Sequence, residues 1–146
     1  MTTVLCHGCF DLLHPGHINH FEKAAALGSR LVVSITSDKW VNKGPGRPIF
    51  PERQRMAVIR GIRVVDAVIL SDAENCVEVI LKVKPHIFCK GPDYSRGDKT
   101  GNLDKERTAV ESYGGRLAII DNDIIYSSTE ILSGQLLAKR IKECVS

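Results

Sequence analysis

Apolar and polar positions along the chain fall into two alternating rhythms. Short runs rich in β-branched residues, TTVLC (2–6), RLVVSIT (30–36), VDAVILS (65–71), PHIFCK (85–90) and RLAIID (116–121), recur at intervals. RLVVSIT is nearly unbroken, as expected of a strand covered on both faces. Between these runs the apolar spacing lengthens to that of helices. One is predicted from about Gly16 to Leu27, stopping at Gly28, and a second from Pro51 through about Gly61. Proline in its first turn and Glu52 beside it suit a helix start. Further helices are predicted over about 75–83 and over about 103–113, the latter broken by Gly114-Gly115. Ser127-Ser128-Thr129-Glu130 reads as an N-cap with an acidic first turn. Behind it, Ile131, Leu132, Leu136, Leu137 and Ile141 carry a last helix to about Cys144.

Five strands alternating with helices predict an α/β fold: a single Rossmann-like, doubly wound, parallel five-stranded sheet with helices on both faces. Ligands of such sheets bind at the carboxyl ends of the strands. The unusual loops, HGCFDLLHPGH, SDKWVNKGPGRP, KGPDY and NDIIYSST, follow strands one, two, four and five, so they are predicted to meet on one edge. At 146 residues, with no internal repeat and no low-complexity tract, the chain is expected to form one domain over 1–146.

Composition narrows the function classes. Apolar residues at 43% and charged residues at 25% are ordinary for a soluble protein. A net charge of +3, with its basic residues dispersed, argues against a nucleic-acid partner. No apolar run reaches the length of a membrane span. MTTVLCHGCF lacks a basic n-region and a long apolar h-region, so no signal peptide is expected. Five cysteines (Cys6, Cys9, Cys76, Cys89, Cys144) at irregular spacing suit reduced thiols in the cytoplasm.

The chemistry concentrates in residues 7–20, HGCFDLLHPGHINH, which hold four of the five histidines. Cys6-x-x-Cys9 with His14 and His17 has the composition of a Cys2His2 zinc site. Against that, Cys6 ends an apolar strand and His14-Pro15-Gly16-His17 spans a turn, so both imidazoles can face one ligand without chelating. A phosphate site explains more. Gly8 permits close backbone approach, and Gly16 lies where a helix N-terminus offers N–H groups and a positive dipole end. Two imidazoles there can donate to phosphate oxygens and stabilise charge on a transferring group. His20, one turn on, is expected at the surface or in packing.

Gly8-Cys9-Phe10-Asp11-x-x-His14-x-Gly16-His17 resembles the signature of the HxGH nucleotidyltransferases, the cytidylyltransferase-like family. The resemblance continues through Ser37-Asp38, Lys43, Arg47-Pro48, Arg53-x-Arg55-Met56, Val65-Asp66, Lys90-Gly91-x-Asp93-Tyr94 and Ser127-Ser128-Thr129, covering roughly 4–132. It implies transfer of a nucleotidyl group from a nucleoside triphosphate to a substrate phosphate, with release of pyrophosphate and without a covalent enzyme intermediate. On this resemblance His14, His17 and Lys43 are the catalytic residues, Lys43 bridging acceptor and nucleotide. Gly8, Cys9, Phe10, Gly16, Lys90, Gly91, Asp93, Ser127, Ser128 and Thr129 would bind the nucleotide. Asp11 would order the loop or reach the second substrate, and Arg47 and Arg55 would bind substrate phosphate. Mg²⁺ is expected on the phosphates of ATP or CTP, and a homodimer is implied.

Two branches of the family compete. Lys90-Gly91-Pro92-Asp93-Tyr94 and Ser127-Ser128-Thr129 are similar to the heptose 1-phosphate type of sugar-phosphate adenylyltransferase, although Pro92 and His7 depart from its pattern. Glycerol-3-phosphate cytidylyltransferases usually carry an arginine shortly before the last helix, where this chain has Asp121-Asn122-Asp123-Ile124-Ile125-Tyr126. Adenylyl transfer to a sugar phosphate is therefore the favoured expectation, and cytidylyl transfer to a small phosphorylated polyol or alcohol the alternative. A non-catalytic nucleotide-binding module would be expected to have lost the histidine pair or Lys43, and both are present.

Overall fold

The computed structural model describes residues 1–91 and 100–121. Strand β1 (Thr3–Gly8) leads into helix α1 (Pro15–Ala25) and strand β2 (Arg30–Thr36). A short 3-10 turn (Asp38–Trp40) and a loop precede helix α2 (Glu52–Arg60) and strand β3 (Ala67–Ser71). Helix α3 (Val77–Val83), strand β4 (Ile87–Lys90), helix α4 (Asn102–Glu111) and strand β5 (Arg116–Ile119) complete the described elements. The predicted last helix lies outside the described residues.

The sheet is wholly parallel in the order β3-β2-β1-β4-β5. β1 therefore sits in the middle, paired with β2 through Val4↔Leu31 and Cys6↔Val33, and with β4 through Val4↔Ile87 and Cys6↔Cys89. The chain runs outward one way from β1 to β3, then crosses back to β4 and β5. The reversal opens a crevice at the carboxyl ends of β1 and β4, where sheets of this kind bind ligands.

Period-two alternation sorts the core into two halves. Val4, Cys6, Leu31, Val33, Ile35, Ile87 and Cys89 pack on one face with Phe21 and Ala24 of α1 and Ile59 of α2. Leu5, Val32 and Phe88 pack on the other with Val79 and Ile80 of α3 and Ala109 and Val110 of α4. Each fully buried large side chain contributes roughly 1.5–3 kcal/mol, which is why the β-branched runs settle here and not on an exposed sheet.

Two expectations change. β1 continues past Cys6 through His7 and Gly8, which sequence alone places in the loop. α1 closes at Ala25, short of the predicted end at Leu27, and the residue after it is right-handed. Gly28 is required by close approach, since a Cβ there would lie 2.5 Å from the Thr2 carbonyl oxygen and 2.7 Å from a Val4 methyl. Among the described residues, no helix is long and apolar enough to cross a membrane.

Candidate functional site

At the start of α1, His14 is the N-cap, with extended backbone angles of φ −142° and ψ 171°. Its Nδ1 accepts the Gly16 N–H at 3.1 Å, and Nδ1 of His17 accepts the His14 N–H at 3.2 Å. This is the reciprocal arrangement of a capping box, built from two imidazoles in place of a hydroxyl and a carboxylate. It has a chemical consequence. A ring nitrogen that accepts an N–H bond carries no proton, so in a neutral imidazole the proton sits on Nε2. Both histidines are thereby set as Nε2–H donors. The backbone N–H groups of Gly16 and His14 are thus taken up by the cap itself.

The pair is held firmly. The two rings lie 3.9 Å apart between centroids. Phe10 meets His17 edge-on at 5.6 Å and Phe21 at 5.0 Å, tying the loop to the core. Phe10 adopts φ +49°, rare for a bulky residue and costing about 1–3 kcal/mol. Gly8 makes room for it, because a Cβ there would lie 2.9 Å from the Phe10 ring. Burial first, then the neighbouring His14, His20 and Lys43, lowers the His17 pKa to about 3. His20 is buried beside Phe21 and lowered to about 4 by burial and by Lys90. His7 is lowered to about 3 by the same two causes. Its Nδ1 lies 3.0 Å from Ser34 Oγ and its Nε2 3.4 Å from Thr36 Oγ1, so both ring nitrogens are engaged within the sheet.

Asp11, Arg47 and Arg55 hold the loops together. Asp11 is 5% exposed and accepts from Arg47 Nε at 2.8 Å, the Ile49 N–H at 2.7 Å and the Phe50 N–H at 2.9 Å. Burial pushes its pKa up, but the two backbone donors and the guanidinium outweigh that and hold it below the ordinary value. Arg55 corrects the sequence expectation: it is 1% exposed and faces no phosphate surface. Its Nε donates to the Phe50 carbonyl at 2.9 Å, and one terminal nitrogen to the carbonyls of Cys9 at 2.9 Å and Thr36 at 2.8 Å. The other pairs with Asp38 at 2.7 Å. Its position in register with Ile59 on α2 draws it into the core.

Lys43, Gly8, Cys9, His7 and Lys90 line one cavity of about 290 Å³. Lys43 is exposed, on a loop where Gly44 and Gly46 adopt φ +95° and +76°. Lys90 is 4% exposed at the end of β4, 3.3 Å from Glu106 Oε1, with Gly91 next in the chain. The same cavity is lined by residues that sequence reasoning missed: Glu74 and Asn75 before α3, and Asn102 and Glu106 on α4. Glu106 is 2% exposed, and its second oxygen accepts the Cys76 N–H at 2.8 Å. A signal for it existed, since Glu106 shares the helical stripe of Leu103 and Val110. His14 lines a separate open hollow with Leu13, Pro15 and Ile18. Asp93, Ser127, Ser128 and Thr129 lie outside the described residues.

The cysteines separate from the histidines. Cys6 is buried on the α1 side beside Cys89, which together with burial raises its pKa, whereas Cys9 lines the cavity. Burial pushes the Cys76 thiol up to about 12. Among the described residues, no three His, Cys, Asp or Glu side chains gather as a metal site would need.

The model of the cytidylyltransferase-like family matches residues 5–134. The bifunctional protein HldE of Gluconobacter oxydans (strain 621H) is 41% identical over 133 residues, covering 90% of this chain and 27% of that protein. HldE of Methylobacillus flagellatus is 39% identical over 120 residues, 81% of this chain and 24% of its own. The chain thus spans about a quarter of the length of these curated relatives. Among solved structures, the lipopolysaccharide core biosynthesis protein of Thermoplasma volcanium GSS1 superposes with a TM-score of 0.66 at 30% identity. The match covers 86% of this chain and 99% of that one.

Proposed function

The chain belongs to the cytidylyltransferase-like family, and from that premise we propose that it transfers a nucleotidyl group, AMP in preference, from a nucleoside triphosphate to a sugar phosphate of the heptose 1-phosphate kind. The reading rests above all on the double-histidine cap, which sets two Nε2–H donors at a helix N-terminus beside the sheet's switch point. The triphosphate lies over that terminus, where the dipole and the two donors favour its charge. The acceptor phosphate enters the cavity, drawn by Lys43 and, in place of the nucleotide-binding role that the resemblance implies for it, by Lys90. At about 290 Å³ that cavity is at the small end of ligand sites, fitting an acceptor and not a whole nucleotide beside it.

An oxygen of the acceptor phosphate attacks the α-phosphorus, and the bond from that phosphorus to the β-phosphate bridging oxygen breaks. The electron pair leaves with pyrophosphate, so no proton transfer is needed. His14, His17 and Lys43 hold the two polyanions in line and stabilise the charge that spreads over the phosphorus oxygens. Mg²⁺ fits this site as a passenger on the nucleotide, because it prefers phosphate oxygens and water to an all-protein cage. When bound it supplies further charge neutralisation. A single domain, a cytoplasmic setting and a homodimer complete the proposal, the last measurable by sedimentation.

The test is pyrophosphate release from ATP or CTP with Mg²⁺ and either heptose 1-phosphate or glycerol 3-phosphate. ATP with the heptose phosphate is expected to give the highest kcat/KM. CTP with glycerol 3-phosphate leading would favour the cytidylyl alternative. Tight nucleotide binding with no pyrophosphate from any pair would refute both.

A further inference from the structure

The acceptor cavity is lined by two chemically different sets of side chains. One is the cations Lys43 and Lys90. The other, from the residues just before α3 and from α4, is two carboxylates and two amides, Glu74, Glu106, Asn75 and Asn102. Three of these groups have structural duties. Glu106 pairs with Lys90 and accepts the Cys76 N–H. Asn75 Oδ1 accepts the Val77 N–H at 3.0 Å, starting α3, and its Nδ2 donates to Asn102 Oδ1 at 3.4 Å. The carboxylate of Glu74 and the amide nitrogen of Asn102 have no such duty among the described residues. Glu74 is exposed to the cavity mouth and Asn102 is half-buried.

We propose that Glu74 and Asn102 are the acceptor-specificity residues, selecting a phosphate ester whose organic part is polyhydroxylated. The inference rests on the nucleotidyl-transfer reading above and adds to it which side chains read the organic part. A carboxylate accepts hydrogen bonds from hydroxyls, and an amide nitrogen donates to them. With phosphate anchored on the lysines, a ligand bearing hydroxyls on its organic part satisfies both sets of groups at once. A site built to bond hydroxyls discriminates strongly against an analogue lacking them, because its polar groups are then left without partners. The mixed lining, with amides beside the carboxylates, fits a polyol better than a cationic amino-alcohol phosphate, for which an amide donor is useless.

The experiment uses the whole chain with the better of ATP and CTP, Mg²⁺ and four acceptors: an aldose 1-phosphate, glycerol 3-phosphate, phosphoethanolamine and phosphocholine. The polyhydroxylated esters should lead in kcat/KM, the aldose phosphate most. Glu74→Gln and Asn102→Ala should each raise its KM by roughly tenfold or more, the scale of one lost hydrogen bond to a charged or buried group, with the nucleotide KM and kcat near wild type. Combining the two should narrow the gap between sugar and amino-alcohol phosphates. Equal use of phosphocholine by the wild type, or an unchanged acceptor KM in both variants, would overturn the inference while leaving nucleotidyl transfer intact. Failure of every acceptor to release pyrophosphate would overturn both.

Discussion

Replacing Arg55 by lysine separates two roles that look alike in the sequence. A phosphate-binding arginine would lose nucleotide or acceptor affinity and leave the fold alone. In the structure Arg55 makes one bond each to the carbonyls of Phe50, Cys9 and Thr36, and a fourth to Asp38 at 2.7 Å, while itself 1% exposed. A planar guanidinium fork can serve these acceptors together, and a single ammonium cannot. The substitution therefore leaves carbonyl oxygens short of donors inside the protein, each worth about 1–3 kcal/mol if fully unsatisfied. Their sum is not the answer, because the lysine retains some of the contacts and the loop relaxes. Two carbonyls left short of a donor would together cost about 3–5 kcal/mol. At roughly 3 °C per kcal/mol for a chain of this size, the melting temperature should fall by about 10–15 °C. Differential scanning calorimetry at pH 7.5 with and without inorganic phosphate makes the measurement. A melting temperature within 2–3 °C of wild type, alongside a raised KM for either substrate, would refute the structural role and restore the phosphate-binding one.

Three further changes probe the site. His14→Ser keeps an N-cap acceptor for α1 but removes the imidazole, so stability should stay within about 1 kcal/mol while turnover falls by on the order of 10²; parallel losses in both would mean that His14 only caps. Gly8→Ala places a Cβ 2.9 Å from the Phe10 ring, an overpacking of about 1–3 kcal/mol, and by moving Phe10 away from His17 it should lower kcat by about 10²; wild-type kcat in a folded variant would break the link between Phe10 and the histidine. The histidines at positions 7, 17 and 20 have native pKa values lowered to about 3, 3 and 4, so on acidification the unfolded chain takes up protons near pH 6.5 before the native protein does. Stability should therefore be full above about pH 6.5 and fall as pH drops toward 3–4, by up to ~1.4 kcal/mol per pH unit for each histidine. Urea unfolding between pH 7.5 and 5 checks the sign, and a flat midpoint would show the three rings to be readily protonated in the native state.

The sheet was legible because its cause is local. β-branched runs with little polar interruption have few places to go except a sheet covered on both faces, and the recurring helices between them force parallel connections. Where the reading stopped short, a polar residue had an inward duty. His7, being polar, reads as loop, yet it sits in β1 because Ser34 and Thr36 of β2 supply partners for its ring. The turn places the histidine pair at a helix N-terminus, but nothing in the motif states that its three-residue spacing makes a capping box of two imidazoles and so places the protons on Nε2.

Arg55 and Glu106 carry the more general lesson. Each is a charged residue in phase with the apolar stripe of its helix, Arg55 one turn before Ile59 and Glu106 between Leu103 and Val110. Helical phase states that such a side chain faces inward, and inward charge requires partners. Arg55 finds them at the carboxyl ends of β1 and β2 from the α2 side, through Thr36 and Cys9. Glu106 finds them from the opposite face, at Lys90 ending β4 and at the start of α3. The crevice is thus braced by buried charge through both faces of the sheet. A hydrophobic pair of similar size would often match or exceed the stability of such ion pairs, so stability alone does not account for Lys90 and Glu106. What distinguishes their place is the cavity they share, where, on the function proposed above, a cation already fixed by its carboxylate partner meets a phosphate without first reorganising.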